Sequence, residues 1–126
     1  MLAVRFHGIG DVRTEDIPLR EAGPGEALIR IAYGGICGSD LHIYREGMFV
    51  ESIPEIMGHE FIGHIVTAPE GSGLSKGDVV VGDPRVPCGT CGPCRDGFYN
   101  RCLSLGFIGE VSPGGFAQYL AMKPEK

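Results

Sequence analysis

Short runs of β-branched and aromatic residues alternate with turns rich in Gly and Pro along most of the chain. Runs of this kind, bounded by Gly or Pro, are typical of β-strands. They predict strands over residues 2–6, 27–32, 61–67, 79–81 and 116–121. Only residues 39–46 have the character of a helix, with Ser39 as the N-cap and Gly47 after the last turn. The pattern therefore predicts a mainly β fold with one short helix, built as a barrel or a sandwich.

The length and composition indicate one folded domain over residues 1–126. The 126 residues include 21 Gly and 9 Pro, a share that goes with many turns, and 43% of them are hydrophobic, which is enough for one core. No internal repeat or linker divides the chain into two parts. We therefore expect a single domain with short elements.

The charge and the uncharged stretches exclude several classes of partner. A net charge of −5 repels nucleic acid and anionic membranes. Residues 111–122, the longest stretch without a charged residue or His, are too few to span a membrane. The start of the chain lacks the basic segment and apolar run of a secretory signal. We therefore expect a cytoplasmic protein that binds neither nucleic acid nor membrane.

Four of the five cysteines follow the pattern Cys-x2-Cys-x2-Cys-x7-Cys, with Gly and Pro in the gaps; they are Cys88, Cys91, Cys94 and Cys102. In a reducing compartment such a cluster favours metal binding over disulfides. Four thiolates complete a tetrahedral Zn²⁺ site and leave no position for water or substrate, so the predicted site is structural. It would lie in a lobe of about residues 84–106. The spacing alone leaves an iron–sulfur cluster or a reduced loop without metal open.

A second group of metal-binding residue types is spread over two segments. Cys37 precedes the predicted helix, where the helix dipole favours a thiolate, and His59 follows 22 residues later, next to Glu60. Asp40 is placed to accept a hydrogen bond from the second nitrogen of a metal-bound His. On the same helix, Ser39 and His42 are three residues apart and share a face, as a pair that passes a proton would. The alternatives are a small core thiol, a helix cap and an exposed helical His.

Three stretches of sequence together resemble one family. They are ICGSDLHIY at residues 36–44, GHE-x-x-G at residues 58–63 and GGFAQY at residues 114–119. With the cysteine cluster, they resemble the catalytic domain of zinc-dependent alcohol dehydrogenases of the medium-chain dehydrogenase/reductase superfamily, which has a GroES-like β-barrel fold. The sequence around Cys37 is similar to that of the polyol and threonine dehydrogenase branch of the family.

The resemblance implies a role for each residue of the two groups. Cys37 and His59 would bind a catalytic zinc, and Glu60 would be the adjacent acid that approaches or replaces a ligand. Asp40 would be the partner of the zinc-bound His, and Ser39 and His42 would form the proton relay. The four clustered cysteines would bind the structural zinc.

Two parts of such an enzyme are not found in the sequence. The family's third catalytic-zinc ligand belongs well downstream of the cysteine cluster, and no Gly-x-Gly-x-x-Gly fingerprint or βαβ pattern of a Rossmann domain occurs. We therefore expect that NAD or NADP binds only with a cofactor domain outside this sequence. The chain would be a separately expressed or truncated catalytic domain.

The sequence thus predicts the zinc- and substrate-binding domain of an NAD(P)-dependent alcohol or polyol dehydrogenase, inactive alone and homo-oligomeric as a whole enzyme. A zinc-stabilised scaffold without catalysis is the alternative. The missing ligand and cofactor fold favour the scaffold, but a scaffold has no need of Ser39, Asp40, His42 and Glu60 together. A zinc-ribbon nucleic-acid binder is disfavoured by the net charge of −5.

Overall fold

The computed structural model of the protein describes residues 1–124, and this part of the chain is mainly β. Its strands are β1 (Leu2–Gly8), β2 (Asp11–Asp16), β3 (Ala27–Gly35), β4 (Glu55–Ile56), β5 (Glu60–Thr67), β6 (Val79–Val81), β7 (Arg85–Val86), β8 (Gly106–Phe107) and β9 (Tyr119–Met122). Its helices are α1 (Gly38–Glu46), α2 (Gly92–Arg95) and a 3-10 turn at Tyr99–Arg101. The predicted mainly β fold with a short helix is confirmed.

The strands pair in antiparallel fashion within three sheets. The first sheet has the order β2-β1-β4, the second has the order β6-β5-β3-β9, and β7 pairs with β8 in the third. A bridge between Ala3 and Ala117 joins the first sheet to the segment that leads into β9. Within residues 1–124 the strands therefore surround the core as linked sheets rather than as one continuously hydrogen-bonded barrel.

The predicted strands are confirmed, with shifted ends. β1, β3 and β5 extend beyond the apolar runs that predicted them, and β9 begins three residues later than expected because the backbone of Phe116 bonds to Met57 and Val4 instead. The sequence did not predict β2, whose residues are mostly polar and which pairs along β1 at the sheet edge. It also missed α2, a single turn that begins between two cysteines.

Two apolar clusters form the core, and the smaller one packs beside the segment that carries His59. The larger cluster joins β3, β5 and β9; its buried members are Ala27, Ile29, Phe61, Ile65, Ile108 and Leu120. The smaller cluster packs Phe6 of β1 and Ile43 of α1 against Met57. Because Met57 lies two residues before His59, this cluster fixes the distance between α1 and the segment that carries the histidine. No helix in the described part of the chain is long and apolar enough to cross a bilayer.

Candidate metal centres

The first turn of α1 carries Cys37 and the residues around it. Cys37 is the N-cap in an extended conformation, and its backbone N–H donates a 2.7 Å hydrogen bond to Oδ2 of Asp40. The prediction that Ser39 caps the helix is wrong, because the N-cap is Cys37, to which the side chain of Asp40 reaches back over three residues. Gly47 ends the helix in the left-handed conformation, with φ of 68°. The capped turn thus fixes the positions of Cys37, Ser39 and Asp40 at the start of α1.

Three backbone hydrogen bonds join residues 114–116 to residues 56–58, just before His59, and form what we call the clamp. The N–H groups of Gly114, Gly115 and Phe116 donate hydrogen bonds of 2.8, 2.7 and 2.9 Å to the carbonyls of Ile56, Gly58 and Met57, respectively. Gly58 has a φ of +92° and lies against the ring of Phe116, so only a residue without a side chain fits there. The clamp therefore fixes the backbone immediately before His59.

The structure brings the three predicted catalytic-zinc residues together. A ligand atom from each of Cys37, His59 and Glu60 lies within 4.8 Å of the others. Behind this group, Nδ1 of His59 is 3.9 Å from Oδ1 of Asp40, and neither atom has a hydrogen-bond partner among the described residues. This pair of buried atoms fits a histidine whose Nδ1–H faces a carboxylate and whose Nε2 binds a metal.

The two predicted relay residues lie at different depths. The hydroxyl oxygen of Ser39 is 3.3 Å from Nε2 of His59, so Ser39 lies at the candidate site. His42 is exposed, and its Nδ1 lies 3.6 Å from Oε1 of Glu46 one turn further along α1. The helix thus places one hydroxyl beside the site and one imidazole toward solvent.

The cysteine lobe forms a second centre. The sulfur atoms of Cys88, Cys91, Cys94 and Cys102 all lie within 4.8 Å of one another. Backbone N–H groups point at the sulfurs: Cys88 and Ser104 each donate to Sγ of Cys102 at 3.3 Å, and Cys91 donates to Sγ of Cys88 at 3.4 Å. Because such donors stabilise thiolates, the loop favours ionised sulfurs at Cys88 and Cys102.

The surroundings shift the pKa values of Cys88 and Cys94 in opposite directions. Hydrogen bonds from the backbone of Thr90 and Cys91 lower the pKa of Cys88 to about 6. Burial raises the pKa of Cys94, which is only 4% exposed, to about 12. Cys94 therefore keeps its proton at neutral pH unless a cation compensates for the lost solvation. Four sulfurs at this spacing suit tetrahedral zinc, so the donor set fits that metal.

One acid near the first centre was not predicted. Glu110 is 8% exposed, and burial raises the pKa of its carboxyl group, while the charge of His59 lowers this pKa and that of Asp40 raises it. It lies between the hydrophobic residues Ile108 and Val111, far in sequence from every motif. An acid within an apolar segment was the only signal available, and it carries no metal-ligand spacing.

Known proteins are similar in sequence to most of this chain. Residues 23–126 match the alcohol dehydrogenase GroES-like domain. Sorbitol dehydrogenase of Bacillus subtilis is 37% identical over 132 residues, which cover 99% of this chain and 37% of that protein. L-Threonine 3-dehydrogenase of Legionella pneumophila is 39% identical over 112 residues, which cover 86% of this chain and 33% of that protein.

A solved structure has the same fold. An alcohol dehydrogenase of Escherichia coli CFT073, in complex with the cofactor NADH, superposes with a TM-score of 0.85 at 34% identity, covering 98% of this chain and 36% of that one. The chain thus spans about a third of the length of the proteins it matches. The predicted resemblance, including its polyol and threonine branch, is confirmed: the chain belongs to the GroES-like domain family of zinc-dependent medium-chain alcohol dehydrogenases.

Proposed function

We propose that this chain is the zinc- and substrate-binding domain, residues 1–126, of an NAD(P)-dependent dehydrogenase that oxidises a small alcohol or a polyol. The observation that carries the proposal is the convergence of Cys37, His59 and Glu60, which come from different elements, with Asp40 behind the histidine. A scaffold would have no use for this set of side chains. In the proposal Cys37, His59 and Glu60 hold a catalytic zinc, and the cysteine lobe holds a structural zinc.

The charges of the two ligand sets suit different tasks. A divalent cation held by the Cys37 thiolate and neutral His59 keeps a formal charge of +1, whereas four thiolates bring it to −2. Zinc at the first centre would supply Lewis acidity that lowers the pKa of an alcohol, and NAD(P)⁺ would accept the hydride. Glu60 adds a negative charge when it joins the ligands, so it would tune how positive the centre is.

The residues of α1 would transfer the proton of the substrate hydroxyl to solvent. Ser39, whose hydroxyl lies 3.3 Å from Nε2 of His59, would accept the proton of the substrate hydroxyl. His42, on the same helix face and open to solvent, would pass it outward. Asp40 would hold the Nδ1–H of His59 and so fix the orientation of the ring.

The substrate and cofactor classes follow the relatives. One relative is named for sorbitol and one solved neighbour holds NADH, so a polyol and a nicotinamide cofactor are proposed for the whole enzyme. Its cytoplasmic location, its assembly as a homo-oligomer and the absence of nucleic-acid and membrane partners remain predictions.

Metal counting tests the proposal. The purified chain is expected to hold two zinc ions by elemental analysis, and Cys37→Ser is expected to hold one, because serine oxygen is a much poorer zinc ligand than a thiolate. Ser104→Ala, which leaves every candidate ligand in place, is the control and should retain two. A wild-type chain with a single zinc that Cys37→Ser does not remove would support a scaffold instead.

The isolated chain is expected to show no NAD(P)-linked oxidation of sorbitol, since no dinucleotide fingerprint occurs in its sequence. The measurement is the absorbance of reduced cofactor over time, with and without added zinc. Turnover by wild-type protein that Cys37→Ser abolishes would contradict this expectation.

A further inference from the structure

The proposed function leaves one buried acid near the first centre without a role. Glu110 is 8% exposed as a residue, and no described residue forms a hydrogen bond or an ion pair with its carboxyl group. Its electrostatic partners are His59 and Asp40. Burial removes part of the hydration of this carboxyl group, so a nearby cation would stabilise its charged form.

The backbone fixes where Glu110 lies. Its N–H donates to the carbonyl of Phe107 at 3.2 Å, and its carbonyl accepts a 3.1 Å hydrogen bond from Glu51. The preceding residue, Gly109, packs so closely on Gly58 that an added Cβ would come within 2.9 Å of the Gly58 nitrogen. The turn that carries Glu110 therefore packs against the residue next to His59.

These contacts give the first centre an excess of acidic groups. Asp40 and Glu110 are both buried and both act on His59, while Glu60 is a candidate ligand. No Lys or Arg forms an ion pair with Asp40 or Glu110 among the described residues. In surroundings of low polarity, unneutralised acids attract a cation strongly.

We propose that Glu110 is a positioning residue of the Cys37–His59–Glu60 centre, where its buried carboxyl group adds negative charge beside His59 and Asp40 and strengthens the binding of a divalent cation. This inference rests on the proposed function, since it takes that centre to be a metal site. Glu110 does not itself belong to the group of ligand atoms that lie within 4.8 Å of one another. Its contribution is the field at the centre, not a bond to the ion.

Cobalt binding tests the inference without any need for catalysis. With zinc in the cysteine lobe, Co²⁺ is titrated into the first centre against a chelator, and the thiolate-to-cobalt absorption band that depends on Cys37 is followed. Glu110→Gln is expected to bind Co²⁺ roughly tenfold more weakly, the lower end of the effect of outer partners on metal affinity. Glu110→Asp, which keeps the charge, should recover part of that affinity, and Glu51→Gln should bind like wild type.

Stability separates this role from a structural one. With the first centre empty, Glu110→Gln should unfold at the same or a higher urea concentration than wild type, because a neutral amide costs less to bury than a carboxylate. Wild-type cobalt affinity in Glu110→Gln, or a loss matched by lower stability and not recovered by Glu110→Asp, would overturn the inference. A wild-type chain without any Cys37-dependent band would overturn the proposed function itself, and with it this inference.

Discussion

Cys94→Ser is expected to release the metal of the cysteine lobe and to unfold the lobe. Little else stabilises this segment: β7 and β8 have two residues each, α2 has four, and Phe98 and Leu103 are exposed. Structural zinc binding contributes on the order of 10–16 kcal/mol in small peptides. We expect the free energy of unfolding to fall by about 5 kcal/mol or more, an exceptional loss for one substitution that removal of a metal can cause.

Two measurements check this result. Elemental analysis should find one zinc fewer than in wild type, and trypsin should cut at Arg95 and Arg101, which lie inside the lobe. Cys37→Ser is the matched control, since it removes a thiol from the other centre and should leave the lobe resistant to trypsin. A Cys94→Ser protein that keeps its full metal content and resists trypsin would show that the lobe does not depend on metal.

The two centres differ in how much of them local sequence determines. The four cysteines of the lobe lie within fifteen residues, so their spacing alone predicted a group of sulfurs that the structure places within 4.8 Å of one another. The first centre joins Cys37 to His59 through contacts that no local pattern encodes, including the bonds from Gly114 and Gly115 to residues 56 and 58. Residue types and family resemblance predicted those ligands, and tertiary packing brings them together.

The errors of the sequence analysis have physical causes. Hydrophobic patterns find strands that bury one face, and β2 is held by backbone pairing along β1 with mostly polar side chains. Ser39 has a better capping propensity than Cys37, but Asp40 bonds to the N–H of Cys37 and starts the helix earlier. Glu110 was not predicted because folding, and not sequence position, buries it and brings it into electrostatic interaction with His59.

Gly58→Ala is expected to destabilise the fold and to empty the first centre together. A Cβ at this position would lie 2.6 Å from Cγ of Phe116, whose ring also lies against Gly34 and would have to shift. The left-handed φ of +92° adds backbone strain for any residue with a Cβ. Strain and overpacking each cost about 1–3 kcal/mol, so we expect the free energy of unfolding to fall by about 4 kcal/mol.

The matched control separates collision from strain. Gly71 also has a left-handed φ, +75°, but an added Cβ there meets nothing within 4 Å. Gly71→Ala should therefore cost only about 1 kcal/mol and keep both metals. If the two variants unfold at the same urea concentration, the contact between Gly58 and Phe116 adds nothing to the cost of the left-handed φ. If Gly58→Ala loses stability but binds cobalt at the Cys37 centre like wild type, then β5 positions the histidine. The clamp would in that case stabilise only the core.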